Sequence, residues 1–210
     1  MASLAEPVVL ASASPRRREL LARAGLRFEV VPSNVLEQRL PGEGPREFAL
    51  RLAREKALEV ARRFPASPRR LVLGADTIVV LEDAVLGKPR DREEAVGMLS
   101  RLVGRAHRVL TAIAVVETDR LEPRASCVES TVVMRAASEA ELRAYVATGE
   151  PLDKAGAYAA QGQGRRFVER IEGSETNVIG LPVEEALALL RAFAVEPREA
   201  SARCPPEILP

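Results

Sequence analysis

Arg16, Arg17 and Arg18 follow Ser14-Pro15 and an apolar run, Val8 to Ala11. Ser14 reads as an N-cap and Pro15 as the first helical residue, where its missing N–H costs nothing. Three guanidinium groups then stand in a first helical turn, where the helix dipole already presents positive charge. A phosphate chain held jointly by free backbone N–H groups and forked guanidinium groups would remove the conflict. A basic helix start with its long side chains in water would also account for it. The stretch alone supports both readings.

Asp76 follows the apolar run Leu71-Val72-Leu73 and Gly74. In open α/β sheets ligands gather beyond the carboxyl ends of strands, and a carboxylate there can bind a hard cation or orient a water. An Asx-turn at a hairpin would give the same local sequence. Glu37 is a second acidic candidate, or an ordinary surface acid. Lys56 and Lys88 could neutralise phosphates, or face solvent from a helix and a loop. Gly87-Lys88-Pro89 lacks the frame of a nucleotide-binding P-loop. Gly162-Gln163-Gly164-Arg165-Arg166 reads as a flexible basic loop. The chain has one histidine, His107, at the start of an apolar strand, so it reads as structural. A Ser-His-Asp triad could use no other, and a His-rich metal site is excluded. Together these groups suit hydrolysis of a nucleotide polyphosphate assisted by a divalent cation.

The elements that must position them alternate. Strands are expected at Val8 to Ala11, Phe28 to Val31, Leu71 to Leu73 with a stop at Gly74 to Thr77, Ile78 to Leu81, Val109 to Val116, Cys127 to Met134 and Val168 to Ile171. Helices are expected from Pro15 to the stop at Gly25, from Pro45, over Arg92 to Leu102, from Ser138 to near Gly149, and from Pro182 through Phe193. Phe48, Leu52, Ala53, Ala57, Val60 and Ala61 recur at helical spacing, and Lys56 lies on that helix. Residues 151–166 read as a Gly- and Ala-rich loop or short helix. The pattern predicts an α/β fold with a mixed twisted sheet and flanking helices. Residues 1–194 form one domain, and 195–210 a loose Pro-rich tail.

The chain has 210 residues and is 47% hydrophobic, enough for a sizeable core in one domain. Its net charge of +1 argues against a nucleic-acid binder, and 3% aromatic residues with no Trp argue against a base-stacking platform. No apolar run approaches a membrane span, and Met1 to Pro7 lacks the pattern of a signal peptide. Cys127 and Cys204 make neither a disulfide framework nor a zinc spacing. The expected location is cytoplasmic.

Six motifs then occur in order: Ser12-x-Ser14-Pro15-Arg16-Arg17, Ala53-Arg54-Glu55-Lys56-Ala57, Gly74-Ala75-Asp76-Thr77, Lys88-Pro89, Asp153-Lys154-Ala155-Gly156-Ala157-Tyr158 and Gly180-Leu181-Pro182. With them the chain resembles the Maf nucleoside triphosphate pyrophosphatases, from about residue 7 to 193. The resemblance implies two lobes around a deep cleft, as in the inosine triphosphate pyrophosphatases. It implies release of pyrophosphate from a nucleoside triphosphate, a divalent cation (Mg²⁺, Mn²⁺ or Co²⁺), and often a homodimer. It matches Asp76 to the catalytic base and Glu37, Lys56 and Lys88 to further active-site positions, and the mechanism expected on that basis has Asp76 and Glu37 holding the metal. Ser12, Ser14, Arg16, Arg17, Thr77 and Gln161 would bind substrate.

The chain departs from the family pattern at two places. Glu175-Thr176 follows Gly173-Ser174 where an aromatic is frequent, and Ala13 replaces a frequent Gly. The stretch Ala155 to Gly162 is similar to the branch that prefers dTTP and UTP, with Gln161 reading the base. A primary amide offers one acceptor and a donor pair, which suits the neutral thymine or uracil edge. A second branch, acting on 7-methyl-GTP, tends to carry Glu there. Modified nucleotides, or a nucleotide-binding regulator of septum formation, are the alternative functions.

Overall fold

The computed structural model describes residues 7–195, and the tail from residue 196 onward lies outside the described residues. The strand expected to stop at Gly74 does not stop. β3 (Leu71–Leu81) runs through Gly74-Ala75-Asp76-Thr77 without a break. It pairs antiparallel with β5 (Ala106–Glu117) in continuous register from Leu71↔Glu117 to Val80↔Arg108. The reason for the glycine is packing. A Cβ on Gly74 would stand 2.4 Å from the Ala53 carbonyl oxygen and 2.7 Å from the Ala57 amide nitrogen, both on α2 (Pro45–Ala61). No Asx-turn forms, and Asp76 sits buried in mid-strand.

Among the described residues β3 is the centre of a mixed sheet of seven strands, ordered β2-β1-β3-β5-β6-β7, with β4 (Ala84–Leu86) also paired to β3. β1 (Val8–Leu10) runs parallel to β2 (Phe28–Val30) and to β3. β6 (Arg124–Met134) and β7 (Val168–Glu172) continue antiparallel beyond β5. Helices cover both faces. That explains why β3 reads as a nearly continuous apolar run rather than an alternating one.

On one face, Val72, Ile78 and Val80 pack with the α2 stripe Ala49, Leu52, Ala53, Ala57 and Val60. On the other face the core is divided. Leu71, Leu73 and Ala75 pack with Leu20 and Leu21 of α1 (Pro15–Arg23) and with Leu190 and Phe193 of α6 (Val183–Val195). Val79 and Leu81 pack with Leu99 of α3 (Arg92–Leu102) and Leu142 of α4 (Glu139–Ala147). These two clusters are the cores of two lobes, so the expected α/β fold with a mixed sheet and flanking helices is found.

The lobes meet at a notch in the sheet. β1 pairs with β3 at Val72 and Leu73, and β4 (Ala84–Leu86) pairs with it at Val79 to Leu81. Among the described residues no strand flanks positions 74–78 on that edge. Successive side chains of a strand point to opposite faces. Asp76 therefore shares the α2 face with Val72 and Val80, and Thr77 shares the divided face with Ala75 and Val79. Because the edge between them is open, both can reach one cleft.

His107 lies in β5, buried, with its ring edge-on to Tyr158 at 5.4 Å between centroids and its Nε2 2.8 Å from the Tyr158 hydroxyl. Burial pushes its pKa down from 6.5 to about 4. Between those values the unfolded chain binds more protons than the folded one, so stability falls as pH drops through the window. The group should account for up to ~3 kcal/mol of acid destabilisation. A His107→Gln variant should show a flatter dependence of Tm on pH between 4 and 6.5. An unchanged slope would assign the acid sensitivity elsewhere.

Candidate active site

A cavity of about 390 Å³ opens at the notch and is lined from both lobes. Its wall carries five cations (Arg16, Arg17, Lys56, Lys88 and Lys154) and three carboxylates (Glu37, Asp76 and Asp153). Val79, Val109, Tyr158, Ala160, Val178 and Ile179 supply an apolar part of the lining. The cavity thus has chemistry for an anionic chain and for an apolar ring.

The carboxylates are gathered by α2. Lys56 stands four residues after Leu52 and four before Val60, on the buried stripe, so the side chain that could have faced solvent faces the sheet. Gly74 lets the helix approach closely enough for Lys56 Nζ to donate to Asp76 Oδ1 at 2.6 Å. The same ammonium donates to Glu37 Oε1 at 2.6 Å, and Lys88 Nζ lies 3.3 Å from Glu37 Oε2. Burial pushes the Glu37 carboxyl up, but Lys56 and Lys88 together outweigh it and hold it below the ordinary carboxylate range. Glu37 lies on an irregular segment that α2 and the turn after it also anchor. Arg63 donates to the Pro32 carbonyl, the Asn34 amide to Glu59, and Arg51 to the Gln38 carbonyl and to Glu43.

The three arginines that the sequence left between two readings have separate roles. Ser14 caps α1 by accepting from the Arg17 amide, as expected, and Arg18 is solvated. Arg17 is buried. Its Nε donates to the Gly180 carbonyl at 2.8 Å, Nη1 to Ser12 Oγ at 3.0 Å and Nη2 to Thr77 Oγ1 at 3.0 Å. Burial works against its charge, and the carboxylates of Asp76 and Glu37 work in favour of it. Three acceptor oxygens thus offset the repulsion from the helix dipole. Arg16 is half-buried and lines the cavity.

Replacing Arg16 by Ala should therefore raise the KM for a triphosphate while leaving Tm equal or slightly higher. Relief of the dipole conflict is worth at most about 0.3–1 kcal/mol. A clear fall in Tm without ligand would make Arg16 a structural residue.

Behind Thr77 the hydrogen bonds have a fixed sense. Thr111 Oγ1 donates to the Asn177 carbonyl at 2.9 Å, so the Thr77 proton serves the 2.9 Å contact between the two hydroxyls in preference to the Gly180 carbonyl at 3.4 Å. Thr77 then accepts from Arg17. Asn177 anchors this chain. Its side chain accepts from the Thr111 amide and donates to the Val109 carbonyl and to Ser130 Oγ. It lies on α5 (Glu175–Ile179), a short helix capped by Ser174 that sequence reading did not anticipate. Within it the departing Thr176 accepts from the Val183 amide, fixing the turn into α6.

Of the residues singled out from sequence, the structure brings Ser12, Ser14, Arg16, Arg17, Glu37, Lys56, Asp76, Thr77 and Lys88 to one cavity. Gln161 is half-buried one position beyond Ala160, which lines the wall. Asp153, Lys154, Tyr158 and Ser33 line the cavity too. The motif Asp153 to Tyr158 was a usable signal for the first three, and Ser33 gave none. Glu150 fixes the segment around Gln161 by accepting from the Tyr145 hydroxyl and the amides of Gln163 and Gly164.

Comparison with known proteins gives the family. Residues 7–193 match the family model described as Maf-like protein. A dTTP/UTP pyrophosphatase of Anaeromyxobacter dehalogenans is 51% identical over 90% of this chain and 94% of its own length. Proteins of the same name from Geobacter sulfurreducens and Syntrophomonas wolfei are 50% and 46% identical, over 88% and 86% of this chain and 95% and 94% of theirs. With the family model covering nearly all the described residues and the relatives close to half identical, the chain belongs to the Maf family.

Proposed function

We propose that this protein hydrolyses dTTP and UTP to the monophosphate and pyrophosphate. The observation that carries the reading is one cavity that joins a cationic wall to a carboxylate fixed on the central strand. Relatives named dTTP/UTP pyrophosphatase support the choice of nucleotide. Asp76 takes the proton of a water attacking the α-phosphorus. Arg16, Lys56 and Lys88 neutralise charge that develops on the leaving pyrophosphate. Positioning and electrostatics supply most of the rate.

The donor set fits a divalent cation in one particular way. No group of three or more His, Cys, Asp or Glu side chains that could hold a metal occurs among the described residues. Asp76 and Glu37 do converge, each 2.6 Å from one Nζ and so no more than twice that from each other. Mg²⁺ is commonly held by one or two carboxylates together with substrate phosphates rather than by a cage of protein ligands. Asp76 and Glu37 would hold it here, and when bound it would supply charge neutralisation on the phosphate oxygens.

The reading extends to location and assembly. A cytoplasmic enzyme of the nucleotide pool accords with the lack, among the described residues, of a helix long and apolar enough to cross a membrane. A homodimer is carried over from the family resemblance.

The test is turnover of dTTP, UTP and 7-methyl-GTP with Mg²⁺, by the natural chain and by Gln161→Glu. The first two should be preferred by the natural chain. The variant should lose much of that activity and gain relatively on the third, since a carboxylate suits the cationic 7-methylguanine. Absence of turnover with every nucleotide would overturn the enzyme reading. An equal effect on all three would remove Gln161 from base recognition.

A further inference from the structure

Lys56 occupies an unusual point for a cation that is to meet phosphate. Its ammonium is the third partner at the place where Asp76 and Glu37 converge, 2.6 Å from an oxygen of each. The side chain is 9% exposed, and that of Asp76 is 7% exposed, so water contributes little screening there. These are charge-assisted bonds, the strong class. A divalent ion arriving alone would have to enter beside that ammonium or displace it, with no new acceptor for the displaced charge.

Glu37 adds a second element. It lies on an irregular segment rather than on the sheet, its side chain is 44% exposed, and Lys56 and Lys88 hold its two oxygens. A triphosphate changes this balance because its oxygens are anionic acceptors for both ammonium groups. Lys56 and Lys88 both line the cavity that would contain it.

We infer that Lys56 is a built-in counter-cation that keeps the Asp76–Glu37 pair closed to a divalent ion until a triphosphate draws the ammonium away. Cation and nucleotide then enter together, not cation first. The inference rests on the proposed reading of Asp76 and Glu37 as metal ligands, and it adds an order of binding and a positioning role for Lys56 before any chemistry.

The experiment is Mn²⁺ binding to the nucleotide-free protein, followed by the electron paramagnetic resonance of free Mn²⁺. The natural chain should bind weakly. Lys56→Met leaves the two carboxylates without their shared cation and should bind Mn²⁺ at least about tenfold more tightly. Coulomb repulsion between like charges at contact distance in a part-buried site exceeds that factor. Adding Asp76→Asn to Lys56→Met should abolish the gain, which ties it to this pair. If Lys56→Met fails to fold by circular dichroism, Lys56→Gln, which keeps a polar head without the charge, takes its place. An unchanged Mn²⁺ affinity in the folded variant, or tight binding by the nucleotide-free natural chain, would overturn the inference. Neither result depends on which nucleotide is hydrolysed. Failure of the substrate reading would instead show in the turnover panel.

Discussion

Asp76→Asn should lower kcat for dTTP by about 10²–10⁴-fold, the usual contribution of a positioned general base. The protein should stay folded, and the reason lies in the ion cluster. Removing one partner of a buried charge pair is typically costly, about 3–5 kcal/mol, because the other charge is left uncompensated. Here Lys56 keeps Glu37 at 2.6 Å, and the new amide still offers it an oxygen. The expected loss is therefore nearer ~1 kcal/mol, or roughly 2–4 °C in Tm for a chain of this size. Calorimetry and a pyrophosphate-release assay measure the two quantities on one preparation. Near-normal turnover in a folded variant would remove Asp76 from the mechanism.

Gly74→Ala should damage both stability and turnover, although the position touches no substrate. The added Cβ would meet the Ala53 carbonyl oxygen at 2.4 Å and the Ala57 amide nitrogen at 2.7 Å. These are helix backbone atoms and cannot rotate away, so α2 must back off from β3. Overpacking of this kind costs typically about 1–3 kcal/mol, here roughly 2–12 °C in Tm. Lys56 moves with the helix, and a misplacement of ~1 Å can cost about 10²-fold in rate. Gly97, an exposed residue of α3, is the control, since a Cβ there meets nothing within 4 Å. Gly97→Ala should be neutral or stabilising by up to ~1 kcal/mol through helix propensity. Equal Tm values for the two variants would show that the α2–β3 approach is not tight.

Local chemistry in the chain fixes a good part of the structure. Ser14-Pro15 starts α1 where a cap and a proline dictate, because both act within one turn. Ser138 and Glu141 form a capping box at α4 for the same reason. The helical period of Phe48 to Ala61 determines the buried face of α2. It even places Lys56 on that face, since the residue falls four after Leu52 and four before Val60. The single histidine limits the chemistry whatever the fold, and six short motifs in order carry the family.

Tertiary structure decided the rest. Gly74 reads locally as a strand stop because glycine permits turns. It is in fact a contact point, and the helix it contacts lies about twenty positions earlier in the chain. Glu37 has no periodic neighbours, and ion pairs from Lys56 and Lys88, with hydrogen bonds that tie its flanking segment to distant residues, bring it to the cavity. Arg17 and Arg16 are adjacent and chemically identical. What separates them is the Gly180 carbonyl, 163 positions from Arg17, which makes Arg17 a buried brace and leaves Arg16 half-buried without that bond. Capping and periodicity act over one or two turns of chain and are legible in the order of residues. Convergence of charges depends on which distant segments pack together, and that is set by the core as a whole.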